Sequence, residues 1–114
     1  MSEQSLTYTT TNGAKEGTVI LSLSGPLLLS NMFTFQNELR TLKPDCLIMD
    51  LSQVPFMDSA GLGIVMNYYV SAENQNRRFF LVAPTERVTA LIEMTKVDSV
   101  LKIFDTLEAA EEHA

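Results

Sequence analysis

Leu51-Ser-Gln-Val-Pro-Phe-Met-Asp58-Ser59-Ala-Gly-Leu-Gly63 stands between two strongly apolar segments. Before it, the run Cys46-Leu47-Ile48-Met49 closes at Asp50; after it, an apolar helical pattern extends from Leu62 to Ala72. This succession predicts a strand, a turn carrying Pro55 and the N-terminus of a helix. A nearly continuous apolar run from Asp45 to Leu51 is the mark of a central strand covered on both faces. Ser59 falls where the helix begins, a position at which serine caps a helix and meets solvent.

Upstream, Leu6-Thr-Tyr-Thr-Thr-Thr11 alternates and is rich in β-branched residues, as in an edge strand. Asn12-Gly13 follows, a turn dipeptide because both residues tolerate positive φ. Gly17 to Ser24, with Val19, Leu21 and Leu23 on one face, completes a predicted hairpin. Gly25-Pro26 ends that strand. Ser30 is a candidate N-cap for a helix from Asn31 to Leu42, where Met32, Phe35, Leu39 and Leu42 recur at helical spacing and Pro44 stops the pattern.

Downstream, the second helix is expected from Ser59 to Glu73. Leu62, Val65, Tyr69 and Ala72 form its stripe, and Ile64, Met66, Tyr68 and Val70 carry the apolar character further round. Gly61 and Gly63 each weaken the first turn by about 1 kcal/mol relative to Ala. Such glycines imply a close approach by a neighbouring backbone, either this chain's own or a partner's. Asn76 suits a left-handed stop. Arg78 to Ala83 is the fourth strand, and Thr85 is expected to cap a third helix with Val88, Leu91, Ile92 and Thr95 facing inward. Val100 to Phe104 is a short edge strand, and Thr106 caps a last helix from Leu107 to Glu112. The prediction is one α/β domain over residues 1–114. Its mixed sheet has four to five strands, an N-terminal antiparallel hairpin followed by strand-helix crossovers, and about four helices.

Composition excludes several functions. The 114 residues are 46% hydrophobic and carry a formal net charge of -6, enough for a core and unsuited to nucleic acid. The single cysteine, Cys46, reads as a buried core residue, and a reducing, cytoplasmic setting is expected. No signal peptide is visible in Met1-Ser-Glu-Gln-Ser. Gly17 to Asn37 has no charged residue, yet Gly25-Pro26 and its Ser and Asn residues rule against a membrane span.

Ser59 is poorly placed to be a nucleophile. Met57 occupies the first glycine position of a Gly-x-Ser-x-Gly elbow, and the only histidine is His113, near the terminus. One Cys and one His cannot build a zinc site, and no dinucleotide or Walker fingerprint is present. Asp50 is better read as a structural acceptor at the strand end, and Asp58 as a charge favouring the positive end of the helix, than as cation ligands, which normally come in larger sets. No cofactor is implied. A phosphate on Ser59 would add roughly -1.5 to -2 charges at a helix N-terminus that can receive an anion. On these residues alone, cap and phosphate site remain open.

Ile48-Met-Asp-Leu-Ser-Gln-Val-Pro-Phe-Met-Asp-Ser-Ala-Gly-Leu-Gly63 resembles the signature of STAS domains, the family of anti-sigma factor antagonists and sulfate-transporter cytoplasmic tails. Leu23-Ser-Gly25 and Ile103-Phe-Asp-Thr-Leu-Glu-Ala-Ala110 extend the similarity over nearly the whole chain. The resemblance implies a binding module, not an enzyme. It implies Ser59 as phosphoacceptor for an anti-sigma factor that is also a serine kinase, reset by a serine phosphatase. It further implies a partner surface at Ser30, Asn31, Phe56, Met57, Asp58, Ala60, Gly61 and Leu62. The alternative is a non-switching STAS subunit docked on a membrane transport complex. Three departures stand out: Leu28 where many members are acidic, Lys96 where a glycine is common before the last strand, and Asn76-Arg77 where one follows the second helix. The latter two imply altered turns.

Overall fold

The computed structural model describes residues 5–114; Met1–Gln4, the start of the segment in which no signal peptide is expected, lie outside the described residues. Five strands form one sheet in the order β1-β2-β3-β4-β5. They are β1 (Thr7–Asn12), β2 (Thr18–Ser24), β3 (Cys46–Gln53), β4 (Arg78–Val82) and β5 (Lys102–Phe104). The β1–β2 pair is antiparallel and the other three are parallel. Four α-helices join and flank them: α1 (Phe33–Thr41), α2 (Ser59–Asn74), α3 (Glu86–Met94) and α4 (Leu107–Glu112), with a 3-10 turn at Val97–Ser99. The mixed sheet and the helix count are those expected from the sequence.

Side chains alternate across a strand, and β3 is buried on both faces as its apolar run predicts. Leu47, Met49 and Leu51 point into the larger core with Leu21, Leu23, Phe79 and Leu81, beneath α1, α2 and α3. Cys46 and Ile48 point the other way, into a smaller core with Ile20, Phe80 and Val82 that Ala110 of α4 covers. Strand order without reversal sends successive right-handed crossovers to one face, which accounts for three helices on one side and one on the other. Burial holds the Cys46 thiol above its ordinary value of 9.0, against the lowering pull of Arg78 and Lys15.

Several local expectations are corrected. The hairpin's left-handed residue is Gly17 (φ 84°), not Asn12 or Gly13; Gly13 instead donates its N–H to the carbonyl of Thr18 at 2.8 Å. Ser30 does not cap α1, which starts at Phe33 after Met32 with no side-chain cap. Thr85 is the N-cap residue of α3 as expected, but its side chain makes no cap hydrogen bond, the hydroxyl donating instead to the Val54 carbonyl at 2.7 Å. Thr95 is exposed and turns its hydroxyl back onto the Leu91 carbonyl at 2.8 Å. Asn76 takes the left-handed conformation, φ 58°, as its side chain allows. Lys96 does the same at φ 64°, so both turns keep the geometry that glycine would favour and are not altered turns.

Among α2's outer residues, Ile64 and Tyr68 are buried, Met66 packs against the core and Val70 is left 51% exposed. Among the described residues no helix is long and apolar enough to cross a membrane.

Candidate functional site

The site is built where the C-terminal ends of β2 and β3 meet the start of α2. After β2, residues 25–31 turn across the sheet edge and are laced to residues 53–58. Gly25 donates to the Gln53 carbonyl at 3.0 Å, Leu27 to the Phe56 carbonyl at 3.2 Å, and Asp58 to the Leu27 carbonyl at 3.2 Å. Leu27 and Met57 form a parallel bridge, and both are buried. The close approach implied by Gly61 is this chain's own: a Cβ there would lie 2.4 Å from the Leu27 carbonyl oxygen. A Cβ at Gly63 would meet nothing within 4 Å.

Asp58, not Ser59, is the N-cap of α2. Its Oδ1 accepts from Gly61 N–H at 2.8 Å, and its Oδ2 accepts from Leu29 N–H at 3.0 Å. One carboxylate therefore closes the helix and ties down the opposing turn, a larger role than the charge at the positive helix end that the sequence leads one to expect. Asp50 similarly accepts from Ser52 N–H at 2.9 Å. With capping assigned to Asp58, Ser59 becomes the first helical residue. It is exposed, and its hydroxyl has no hydrogen-bond partner among the described residues.

The other expected partner-binding residues separate by depth. Ser30 is exposed; Asn31, Phe56, Asp58 and Ala60 are half-buried; Met57, Gly61 and Leu62 are buried and support the surface from below. Asn31 shapes the turn, accepting from Leu28 N–H at 3.0 Å and donating to the Pro26 carbonyl at 2.9 Å. Leu28 is half-buried in this turn. His113 lies away from Ser59, its ring against Phe104 on the α4 face of the sheet.

Three further residues were not singled out from the sequence. Leu29 is 55% exposed beside Asp58, and Phe33 is 63% exposed at the start of α1. Arg87 of α3 lies over the Phe56 ring, 4.7 Å from its centroid. Leu29 could have been noticed as an apolar residue abutting the turn pair Ser30-Asn31. Arg87 had no local signal, because only the sheet brings α3 beside Phe56.

The arrangement can present an unpaired hydroxyl on a helix N-terminus, ringed by apolar surface. Comparison with known proteins places it in context. The STAS domain family model matches residues 10–110. A candidate anti-sigma factor antagonist of Thermotoga neapolitana is 33% identical over 102 residues, 85% of this chain and 90% of that protein. The crystal structure of a candidate anti-sigma factor antagonist from Thermotoga maritima superposes with a TM-score of 0.84 at 27% identity, covering 93% of this chain and 92% of that one. Bacillus SpoIIAA, an anti-sigma factor antagonist, shares the fold in its unphosphorylated form with a TM-score of 0.77 at 20% identity, over 94% and 95% of the two chains. Its phosphorylated form gives a TM-score of 0.73 at 19% identity, over 94% and 98%. The chain belongs to the STAS domain family.

Proposed function

We propose that this protein is an anti-sigma factor antagonist that works by partner switching. The unphosphorylated form captures an anti-sigma factor that is also a serine kinase and so releases a sigma factor. Phosphorylation of Ser59 ends that capture, and a serine phosphatase restores it. The protein acts by binding and not by catalysis.

The observation that carries this proposal is the division of labour between Asp58 and Ser59. Asp58 holds the Gly61 and Leu29 amides, so the Ser59 hydroxyl has no duty in the fold. A phosphate there would sit at the positive end of α2 without displacing the cap. Its roughly -1.5 to -2 charges, next to Asp58, would turn an apolar rim into an anionic one. Leu29, Phe56 and Ala60, with Ser30 and Asn31, supply the rim; Met57, Gly61 and Leu62 set its height. The antagonist relatives support the functional class from which this reading starts.

The test uses the purified chain, its cognate anti-sigma kinase and ATP, with mass spectrometry to locate the phosphate. Ser59→Ala should bind the kinase whether or not ATP is present, and Ser59→Asp should bind much more weakly than the parent. Absence of phosphate on Ser59, with full binding by Ser59→Asp, would refute the switch. The alternative, a permanent STAS subunit of a membrane transport complex, has less support, since of Ile64, Met66, Tyr68 and Val70 only Val70 is largely exposed. A transporter as the main partner in a pull-down would favour it.

A further inference from the structure

A second concavity lies between α1 and the C-terminal half of α2, well away from Ser59. Ser59 and Ser71 are separated by about 18 Å along the helix at 1.5 Å per residue. The cleft has a volume of about 440 Å³, within the range of small-molecule sites. Arg40, Lys43 and Arg77 line it, three of the eight basic residues of a chain whose net charge is -6, and no carboxylate does. Leu39 and Ile64 give the cleft an apolar wall, and Asn67 and Ser71 add uncharged polar groups.

Arg77 is held in place before any ligand arrives. Its backbone N–H donates to the Ala72 carbonyl at 2.8 Å, its Nε to Gln75 Oε1 at 2.8 Å, and one terminal nitrogen to the Tyr68 hydroxyl at 3.0 Å. The Tyr68 hydroxyl in turn donates to the Leu42 carbonyl at 2.6 Å, linking the two helices at the cleft. A guanidinium has five N–H donors, so three remain for an incoming acceptor. None of the three cations makes an ion pair with a carboxylate among the described residues.

A simpler account is that these cations offset helix dipoles. It suits Arg40, in the last turn of α1. It does not explain why Lys43 and Arg77, both outside the helices, converge on the same concavity with no acidic residue between them. The geometry points to an anion-binding site: the α1–α2 cleft takes a small molecule with two or more phosphate or carboxylate charges on an apolar body. Arg77 forms the fixed donor, Arg40 and Lys43 supply mobile charge, and the apolar wall receives the body. This site goes beyond the switching function and does not depend on it.

The test is a two-dimensional amide NMR titration of the full chain at constant ionic strength, with sodium pyrophosphate in one series and citrate in another. Saturable shifts are expected at the amides of residues 39–43 and 67–77. Saturation by pyrophosphate alone identifies phosphate as the recognised group, by citrate alone carboxylate, and by both the charge they share. The double variant Arg40→Gln/Lys43→Gln should weaken binding at least about tenfold, because two charge-assisted contacts are lost. Both of its side chains are exposed, so the fold survives the change. Lys102→Gln, on β5, should leave binding unchanged. No saturable shift up to about 10 mM of either anion, well past the millimolar affinity scale, would overturn the assignment. So would equal binding by the double variant, or shifts that follow every surface lysine and arginine alike.

Discussion

Gly61 and Gly63 sit two residues apart in the first turns of α2, and replacing each by alanine should move stability in opposite directions. Helix propensity alone favours alanine at both by about 1 kcal/mol. At Gly63 nothing lies within 4 Å of the new methyl, so the gain is realised. For a domain of this size it corresponds to a rise in Tm of roughly 3–6 °C. At Gly61 the methyl would lie 2.4 Å from the Leu27 carbonyl oxygen and 3.0 Å from Leu27 Cγ. That oxygen cannot move away cheaply, because it accepts from Asp58 N–H and its segment is tied at Gly25 and Leu27 as well. Overpacking costs about 1–3 kcal/mol, and a weakened Asp58–Leu27 hydrogen bond about 1 kcal/mol. Set against the propensity gain, Gly61→Ala should lose about 1–3 kcal/mol. Urea unfolding followed by far-ultraviolet circular dichroism reads both, with unchanged m values showing that stability alone has moved. If both alanines stabilise, the 25–31 segment does not rest on α2. If both destabilise, the space beside Gly63 is not open.

Three further outcomes are expected. Asp58→Ala should cost about 1–2 kcal/mol through loss of the cap, whereas Ser59→Ala should stay within about 0.5 kcal/mol; the reverse order in thermal melts would return the cap to Ser59. Lys96→Gly should raise Tm by a few degrees, since relief of a left-handed side chain, about 1–2 kcal/mol, exceeds the entropy glycine costs; an unchanged or lower Tm would show that φ 64° there is not strained. Burial raises the Tyr68 hydroxyl above 10.0 and the Cys46 thiol above 9.0. Each group in the unfolded chain therefore loses its proton first, and stability present below those values should fall as pH rises past them. Tyr68→Phe and Cys46→Ala should flatten that alkaline decline, measured by urea midpoints across pH 8–11 with pH 9–10 as the informative window; an equally steep decline in both variants would refute the cause.

Much of the fold was legible because its signals are local. The apolar run around Cys46–Met49 announces a central strand, Asn76 a left-handed stop, and Thr106 a cap that indeed accepts from Ala109 N–H at 3.1 Å. What was misread depends on geometry across elements. Asp58 and Ser59 are both good caps, and the choice falls to Asp58 because its second oxygen is drawn to the Leu29 amide on a turn 29 positions earlier in the chain. Ser30 loses its cap role because the Asn31 side chain closes a turn first. Thr85 spends its hydroxyl on Val54 rather than on α3. The α1–α2 cleft is invisible in sequence for the same reason: Arg40 and Lys43 meet Arg77 only after two helices have packed.

The hairpin and the last helix also touch. Ala14 N–H donates to Glu111 Oε1 at 2.6 Å, and Lys15 Nζ reaches the carbonyls of Glu112 at 3.3 Å and Ala114 at 2.8 Å. Contacts spanning nearly the whole chain are slow to form, since the intervening loop must first be closed. Here they join the edge strand pair to α4, which covers the back of the sheet. The two ends therefore act as a clasp: while α4 is unseated, Ile20, Ile48 and Phe80 lose their cover and the hairpin turn lacks its tie to the last helix. Folding becomes an event that the first strands and the last turn complete together, and a nascent chain cannot finish its back core until α4 has arrived.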